Sequence, residues 1–215
     1  MIDDALKLIR DEVHTYIDLN KESFDDSTIH VNLQNIASLE DTTIIKPGHI
    51  IISLVNIEEE SILKNSPFRR TNPSGVVEYI NPPVHLNLYI LFACTVATDG
   101  ESYRKSLSRL GLIIQFFQSK NCFTLQNSPA FAADFQNANQ IPPGVNELRL
   151  TMELYTLTFE QINHLWGSLG GKQVPFAMYK ARLVKIQEDK VQKGGGLITE
   201  INGELLDKKP LEINP

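Results

Sequence analysis

The stretch VHLNLYILFACTV, residues 84–96, decides the fold class, because its side chains alternate like those of a strand inside a sheet. One face of this strand is wholly apolar and consists of Val84, Leu86, Leu88, Ile90, Phe92, Cys94 and Val96. The other face is half apolar and consists of His85, Asn87, Tyr89, Leu91, Ala93 and Thr95. The pattern predicts a central strand that is covered fully on one face and partly on the other.

Further strands and helices follow on both sides of this stretch. The segments STIHVNL (27–33), HIIISLVNI (49–57), 146–157 and FAMYKARLVKI (176–186) have strand patterns. Helical spacing predicts an opening helix over residues 2–20, one that ends near Ser119, and a short one after Thr158. We therefore expect an α/β architecture of the α+β type, with a single mixed, largely antiparallel sheet packed by about three helices.

Two helix starts carry the spacing of a capping box, Thr98 with Glu101 and Thr158 with Gln161. The helix that follows Thr98 is expected to bury one side, which consists of Tyr103, Leu107, Leu110, Ile114 and Phe117. In strand 176–186, alternation places Phe176, Met178, Lys180, Arg182 and Val184 on one face. The two basic residues on that face predict an exposed or interface-facing edge.

Two regions of the chain depart from this regular pattern. Residues 61–83 contain four prolines and are expected to form a long excursion. Beyond residue 187 the chain has a glycine linker at 194–196 and a weak hairpin signal at Asn202-Gly203. We predict a domain over 1–186 and a flexible C-terminal extension over 187–215. This extension is either a mobile end or an arm that pairs with another chain's sheet edge.

Composition limits the classes of function and the compartment. The chain has 215 residues, 42% of them hydrophobic, and a formal net charge of −6, which disfavours binding to nucleic acid. Cys94 and Cys122 both lie in apolar surroundings, which predicts buried thiols and suits a reducing cytoplasm. The N-terminus lacks the pattern of a secretion signal, and the apolar runs are shorter than the ~20 residues that cross a bilayer.

The glycine pair Gly170-Gly171 before Lys172 raises the possibility of a phosphate-binding loop. Such a loop needs four residues between its first glycine and the Gly-Lys pair, a Ser or Thr after the lysine, and a strand before it. Only three residues separate Gly167 from Gly171, Gln173 follows the lysine, and a helix precedes the loop. The pair is therefore expected at a helix C-terminus, where exposed carbonyl groups repel phosphate.

Signals for catalysis are weak throughout the chain. The histidines lie in different elements, and none of them has a metal-ligand spacing. They are His14, His30, His49, His85 and His164. No serine lies in a nucleophile elbow, and Cys94 lies within a predicted buried strand. We therefore expect no catalytic residue, no cofactor, no metal and no small-molecule substrate.

Five residues with arginine, lysine or tryptophan side chains are candidates for a protein interface. They are Arg69, Arg70, Trp166, Lys180 and Arg182. Trp166 shares a helix face with apolar residues, so it is either a core residue or a subunit anchor. The arginine pair lies between prolines and is either solvated or paired with acidic neighbours. The acidic run 58–60 predicts a solvated loop, with a docking patch for a basic partner as the alternative.

The chain resembles a known family over about residues 1–186. The similar segments, in order, include VNLQNIASLED (31–41), IIISLVNIEEE (50–60), YRKSLSRLGLIIQFFQSKNCFT (103–124) and LRLTMELYTLTFEQINHLWGSLGGKQVPFAMYKARLV (148–184). Their most specific parts are Asn-Leu-Tyr at 87–89, FFQSK at 116–120 and the passage 165–182. These segments resemble the N-terminal domain of cap, or tail terminator, proteins of phage-tail-like contractile injection systems, of the antifeeding-prophage and Photorhabdus-virulence-cassette type. Phe176-Ala177 departs from the serine-like residue expected after the proline.

The resemblance implies a non-enzymatic protein that forms a ring, expected to be a homohexamer, at the end of the inner tube. Its partners would be the tube protein and the last layer of sheath protein. It would be assembled in the cytoplasm, in a particle that is released or membrane-anchored. Two alternatives stay open: a tail-completion or baseplate adaptor of the same particle, and a small hydrolase. The hydrolase requires a pocket that gathers His85 or His164 with a carboxylate and a nucleophile.

Overall fold

The computed structural model describes residues 1–20, 29–38, 48–61, 69–71, 76–97, 99–135, 141–142, 144–171, 173–186 and 193–195. The strands in these ranges are β1 (His30–Leu33), β2 (His49–Glu59), β3 (Arg69–Thr71), β4 (Val77–Tyr79), β5 (Val84–Cys94), β6 (Cys122–Thr124), β7 (Arg149–Leu154), β8 (Phe176–Ile186) and β9 (Lys193–Gly195). The helices are α1 (Ile2–Asn20), α2 (Gly100–Ser119), α3 (Pro129–Ala132) and α4 (Phe159–Ser168). Short 3-10 turns occur at Ile36–Ser38, Leu125–Asn127 and Val145–Glu147. None of the helices in these ranges combines the length and apolar character that a membrane crossing requires.

Six of these strands form one sheet in the order β1-β2-β5-β8-β7-β6. β1 runs parallel to β2, and every other neighbouring pair is antiparallel. The sheet is therefore mixed and largely antiparallel, as expected. β5, the strand that decides the fold class, lies inside it between β2 and β8.

The two faces of β5 contact two separate apolar clusters. Its even-numbered residues from Leu86 to Cys94 face the larger cluster, to which α1, α2 and α3 also contribute side chains. On the opposite face, Leu91 and Ala93 pack with Ile36, Ile51 and α4. The remaining odd-numbered residues of β5, towards its N-terminus, lie outside this smaller cluster. The predicted full and partial coverage is confirmed for residues 86–94, but Val84 is 42% exposed and Val96 packs against the smaller cluster.

Helix α2 buries a different side from the one that the sequence predicted. Of the side expected to be buried, Phe117 is buried, but Tyr103, Leu107 and Ile114 are 51%, 46% and 41% exposed. The residues that do face the interior are Ser102, Ser106, Arg109, Leu112, Ile113, Phe116 and Phe117. The predicted N-terminal cap is also wrong, because Asp99 caps the helix by accepting a hydrogen bond from the Ser102 amide at 2.7 Å. Thr98 lies outside the described residues.

Strand β8 spans the predicted residues but differs in two respects. It lies between β5 and β7, so it is an interior strand of the sheet and not an edge. One extra residue of β8 also interrupts its register with β5, because Leu88 pairs with Ala181 and Leu86 pairs with Val184. This bulge turns Val184 to the core face, where it is fully buried, and separates it from Lys180 and Arg182.

The predictions for α4 and the segment after it are confirmed. Thr158 and Gln161 form a capping box at the start of the helix. Gly170 and Gly171 adopt φ angles of 101° and 79°, which L-residues with a side chain rarely adopt. The Gly171 amide donates to the Trp166 carbonyl at 2.7 Å, so the glycine pair ends a helix. Lys172 lies outside the described residues.

The chain divides into two units, one with Met1–Ser66 and Pro83–Gln187 and one with Pro67–Pro82 and Glu188–Pro215. The described part of the second unit is an antiparallel sheet with the strand order β3-β4-β9. Two strands therefore occur in the proline-containing excursion. Lys193–Gly195 is a strand rather than part of the linker predicted at 194–196, because it pairs with Val77–Tyr79.

Candidate interaction surface

The part of the large sheet that α4 leaves open presents charged and aromatic side chains from four strands. We call this surface the polar face, and it consists of Glu58, Tyr89, Glu153, Lys180 and Arg182. The sheet register brings them together, because Lys180 of β8 lies opposite both Tyr89 of β5 and Glu153 of β7. Glu58 lies on β2 opposite Asn87, two residues along β5 from Tyr89 and on the same face. Glu58 and Glu59 both lie in β2, so the prediction of a solvated loop over 58–60 is wrong for these two residues.

Three side chains of the polar face interact closely at one end. The Tyr89 hydroxyl donates to Glu58 Oε2 at 2.6 Å. Lys180 Nζ lies 3.7 Å from the same oxygen and 5.4 Å from the centre of the Tyr89 ring. Tyr155, just after β7, adds an edge-on ring contact with Tyr89 at 5.0 Å. The lysine is consequently held against an aromatic ring and a carboxylate, and 17% of its side chain is exposed.

The other end of the polar face is more open to solvent. Arg182 Nη1 lies 3.3 Å from Glu153 Oε1, and the two side chains are 45% and 47% exposed. Exposed ion pairs of this kind contribute about 0.2–1 kcal/mol to stability. Either residue can therefore exchange its partner for a group on another protein at little cost to the fold.

The pKa of Tyr89 is raised from 10.0 to about 12. The largest cause is the hydrogen bond to Glu58, and the second is partial burial. The neutral phenol is the form that can donate to the carboxylate, so the folded state favours it. The contribution of Tyr89 to stability is complete below pH 10 and is lost as the pH rises from 10 to about 12.

Replacing Glu58 with glutamine is expected to lower the pKa of Tyr89 from about 12 towards 10, because the carboxylate that opposes ionisation is removed. Absorbance titrations of tyrosinate measure this value, and the difference from Tyr89→Phe isolates Tyr89 among the six tyrosines. Glu153→Gln is the matched control and should leave the pKa of Tyr89 near 12. An unchanged pKa in Glu58→Gln would show that this hydrogen bond is absent in solution.

The structure places the predicted interface residues in three different environments. Lys180 and Arg182 belong to the polar face, as described above. Trp166 is 4% exposed and packs in the smaller cluster, with its ring 5.4 Å from that of Phe176, as expected of a core residue; its role as a subunit anchor stays a prediction. Arg69 and Arg70 lie in β3 opposite Tyr79 and Glu78, and their side chains lie outside the described part. Their interface role stays a prediction.

The sequence did not identify Tyr89 and Glu153 as members of this surface. Both lie on strands whose alternation was recognised, on the faces that were less apolar. The missing information was the pairing of β5 and β7 with β8, which joins residues that are far apart in the chain. Opposite charges at strand positions that face away from the core are the signal that could have suggested such a cluster.

Titratable side chains outside the polar face give little indication of a catalytic or metal-binding site. Within the described ranges, no group of three His, Cys, Asp or Glu side chains is placed to hold a metal ion. His164 Nε2 lies 3.8 Å from Glu160 Oε1, but these side chains are 80% and 85% exposed on an open helix face. Cys94 is buried, as predicted, and burial raises the pKa of its thiol to about 12, so the reactive thiolate is disfavoured.

Two solved structures have a similar fold. The sheath/tube terminator of the PVC extracellular contractile injection system, in its extended state, matches 94% of this chain with a TM-score of 0.56 and 12% identity. The tube-terminating cap of the anti-feeding prophage matches 90% with a TM-score of 0.55 and 11% identity. This chain spans only 64% and 60% of those two proteins. No curated protein matches the sequence.

The fold is thus an α+β domain of the kind found in tube terminators. Residues 5–200 match the Pvc16 N-terminal domain, and the chain belongs to that family. The family resemblance read from the sequence is confirmed.

Proposed function

We propose that this chain is a structural cap, or tail terminator, of a contractile injection system, and that it forms a ring at the end of the inner tube. The observation that carries this proposal is the family match over residues 5–200. The two similar structures, named a sheath/tube terminator and a tube-terminating cap, support it further. By the same reasoning the partners are further copies of this chain, expected to number six, the tube protein and the terminal sheath layer.

The chain is proposed to be a structural protein without a reaction of its own, and without nucleic-acid or small-molecule ligands. Residues 1–186 are proposed as the terminator-like domain and 187–215 as an extension, of which Lys193–Gly195 pairs with β4. The protein is assembled into its particle in the cytoplasm, and the particle is afterwards released or anchored. The open polar face supports this role, because it offers charged and aromatic groups to a neighbour without a reactive centre.

Locating the chain in intact particles tests the proposed function. Electron microscopy of particles that carry a labelled copy of this chain should show the label at the end of the tube that is distal to the spike. Label at the baseplate end would instead favour an adaptor of the same particle. Particles that assemble normal tube ends without this chain would refute the terminator role.

The polar face is proposed to contact the neighbouring copy in the ring, and charge reversal tests this role. Arg182→Glu should abolish rings and leave the monomer folded, because the reversed charge repels both Glu153 and an acidic partner surface. Negative-stain imaging detects the rings, and circular dichroism checks the fold.

A suitable control for Arg182→Glu is charge reversal of an ion pair with similar exposure. Lys7 lies 2.6 Å from Asp134, and the two side chains are 39% and 45% exposed. These two residues lie on α1 and beyond α3, outside the polar face. Lys7→Glu should therefore leave the rings intact. Intact rings in Arg182→Glu would mean that Arg182 does not line the contact.

A further inference from the structure

Helix α2 leaves a partly apolar groove open on its outer side. Tyr103, Leu107 and Leu110 form one wall, and the segment 173–176, which follows α4, forms the other. The groove has a volume of about 420 Å³. For comparison, an apolar cavity of about 150 Å³ accommodates benzene, so a phenyl ring fits here with room to spare. Tyr103 and Leu107 are 51% and 46% exposed, so their apolar atoms gain from a partner that covers them.

Phe159 projects from the same unit of the molecule into solvent. It is the first residue of α4 and is 88% exposed. The start of α4 does not depend on it, because Thr158 and Gln161 supply both hydrogen bonds of the capping box. An aromatic side chain with this exposure contributes little to the core of its own chain. It has the size and apolar character of an interface anchor.

The projecting ring and the groove lie at opposite ends of α4. Phe159 begins the helix, and its ten residues span roughly 15 Å. Val174 and Phe176 of the groove pack against Trp166, near the other end of the helix. A helix of this length keeps Phe159 away from the groove of its own chain. A second copy of the chain can supply the missing side chain.

Charges beside the two features are complementary. Glu160, next to Phe159, is 85% exposed. Arg104, next to Tyr103 on α2, is 62% exposed and donates to Glu101 at 2.8 Å. This ion pair is exposed on both sides and contributes little to stability, so Arg104 can exchange Glu101 for a carboxylate on another copy. Phe159 entering the groove of a neighbouring copy would bring Glu160 towards that neighbour's Arg104.

From these features we infer that Phe159 of one copy inserts into the groove between α2 and segment 173–176 of the next copy. The contact joins different surfaces of the two copies, so repetition generates a ring when the rotation closes. Tyr155, whose ring contacts Tyr89 of the polar face, precedes Phe159 by four residues, so the chain between them reaches at most about 14 Å. This inference rests on the proposed ring and adds the contact that holds it together.

Two measurements on the full chain test this contact. In the first, Phe159→Ser is expected to raise the dissociation constant between copies about 30-fold, the effect of losing an aromatic anchor. Analytical ultracentrifugation measures the constant. The matched control is Leu19→Ser at the end of α1, because Leu19 is 80% exposed and lies outside both features. This control should leave association unchanged.

The second measurement detects the contact directly by cross-linking. A chain with Phe159→Cys and Leu107→Cys should form disulfide-linked multimers on mild oxidation, whereas each single variant should not. Mixing the two single variants should give dimers only, because each copy then carries one half of the contact. Cys122 is partly exposed, so the wild-type chain serves as the background for all samples.

The outcomes separate this inference from the proposed function. Rings that persist in Phe159→Ser, together with no cross-link, would overturn the inference and leave the terminator role standing. A disulfide within one monomer would also overturn it, because Phe159 would then reach its own groove. Cross-linking of Phe159→Cys to tube or sheath protein, in place of a second copy, would assign the groove to another partner. A wild-type chain that shows neither rings nor a location at tube ends, with no cross-link, would refute both proposals.

Discussion

Replacing Phe117 with alanine is expected to lower the free energy of unfolding by about 3–5 kcal/mol, the cost of removing a buried aromatic side chain. Phe117 is 4% exposed and lies at the centre of the aromatic part of the core. Its ring is 5.1 Å from Phe92, 5.0 Å from Phe116, 6.0 Å from Phe123 and 4.5 Å from Tyr179. Because a domain of this kind is stable by about 5–15 kcal/mol, this single change removes a large part of its stability.

Equilibrium unfolding in urea measures this loss, and Ile114→Ala on the same helix is the control. Ile114 is 41% exposed, so its truncation should cost less than about 1 kcal/mol. The sequence pattern placed Ile114 and Phe117 on the same side of the helix. Comparing the two variants therefore tests the orientation of α2. Equal losses in both variants would contradict the orientation described here.

The orientation of α2 was mispredicted because polar residues occupy much of its buried side. Ser102, Ser106 and Arg109 all face the interior. The Ser106 hydroxyl donates to the Tyr103 carbonyl at 2.7 Å, and the Ser102 hydroxyl accepts from the Ala97 amide at 2.8 Å. Such local hydrogen bonds allow serine to be buried. A pattern that equates the apolar side with the buried side then selects the wrong side of the helix.

The long strands of the large sheet could be predicted, because β5 and β8 have a clear alternation and β2 has a short apolar run after a Pro-Gly turn signal. The boundaries of β8 and the interior position of β5 followed from the sequence alone. The bulge near Arg182 did not, because one extra residue changes the face of every residue after it without any mark in the alternation. Val184 was consequently assigned to the wrong face.

The second sheet could not be predicted for a different reason. Its strands β3, β4 and β9 have three residues each, which is too short for alternation to be recognised. The pairing of Val77–Tyr79 with Lys193–Gly195 also joins segments more than 100 residues apart. Glycines in β9 resemble a linker in composition, and the partner strand is what gives them a regular structure.

The candidate surface was predicted only in part. Lys180 and Arg182 were selected because basic residues on an alternating strand must face away from the core. Their acidic partners come from other strands, so the register was needed to find them. Phe159 was missed because an aromatic residue at the start of a predicted helix is usually assigned to the core. Its exposure became visible only when the helix was placed on the sheet.

A partly buried ion pair joins α1 to the end of α2. Glu12 is 8% exposed, and its Oε2 accepts from Lys120 Nζ at 2.7 Å. Its other oxygen accepts from the Ala130 amide at the start of α3, at 3.2 Å. Lys120 also donates to the Asn127 carbonyl at 2.6 Å and lies 4.9 Å from the centre of the Phe123 ring. One carboxylate and one ammonium group therefore connect three helices.

Lys120→Met is expected to lower the free energy of unfolding by about 2–3 kcal/mol, because it leaves the Glu12 carboxylate buried without its counter-charge. The effect is smaller than for a fully enclosed pair because 26% of the lysine side chain is exposed. Lys105→Met is the matched control, since Lys105 is 29% exposed but its partner Glu101 lies 3.9 Å away and is 58% exposed. That variant should lose less than about 1 kcal/mol.

A double-mutant cycle with Glu12→Leu decides whether the pair itself is responsible. The double variant Glu12→Leu with Lys120→Met should lose less stability than the sum of the single variants, by about 1–3 kcal/mol, because neither charge is then left alone. Urea unfolding of the four proteins under identical conditions gives this coupling energy. If the losses were additive, the stability of the α1, α2 and α3 junction would come from its apolar contacts, and Glu12 would be tolerated there rather than required.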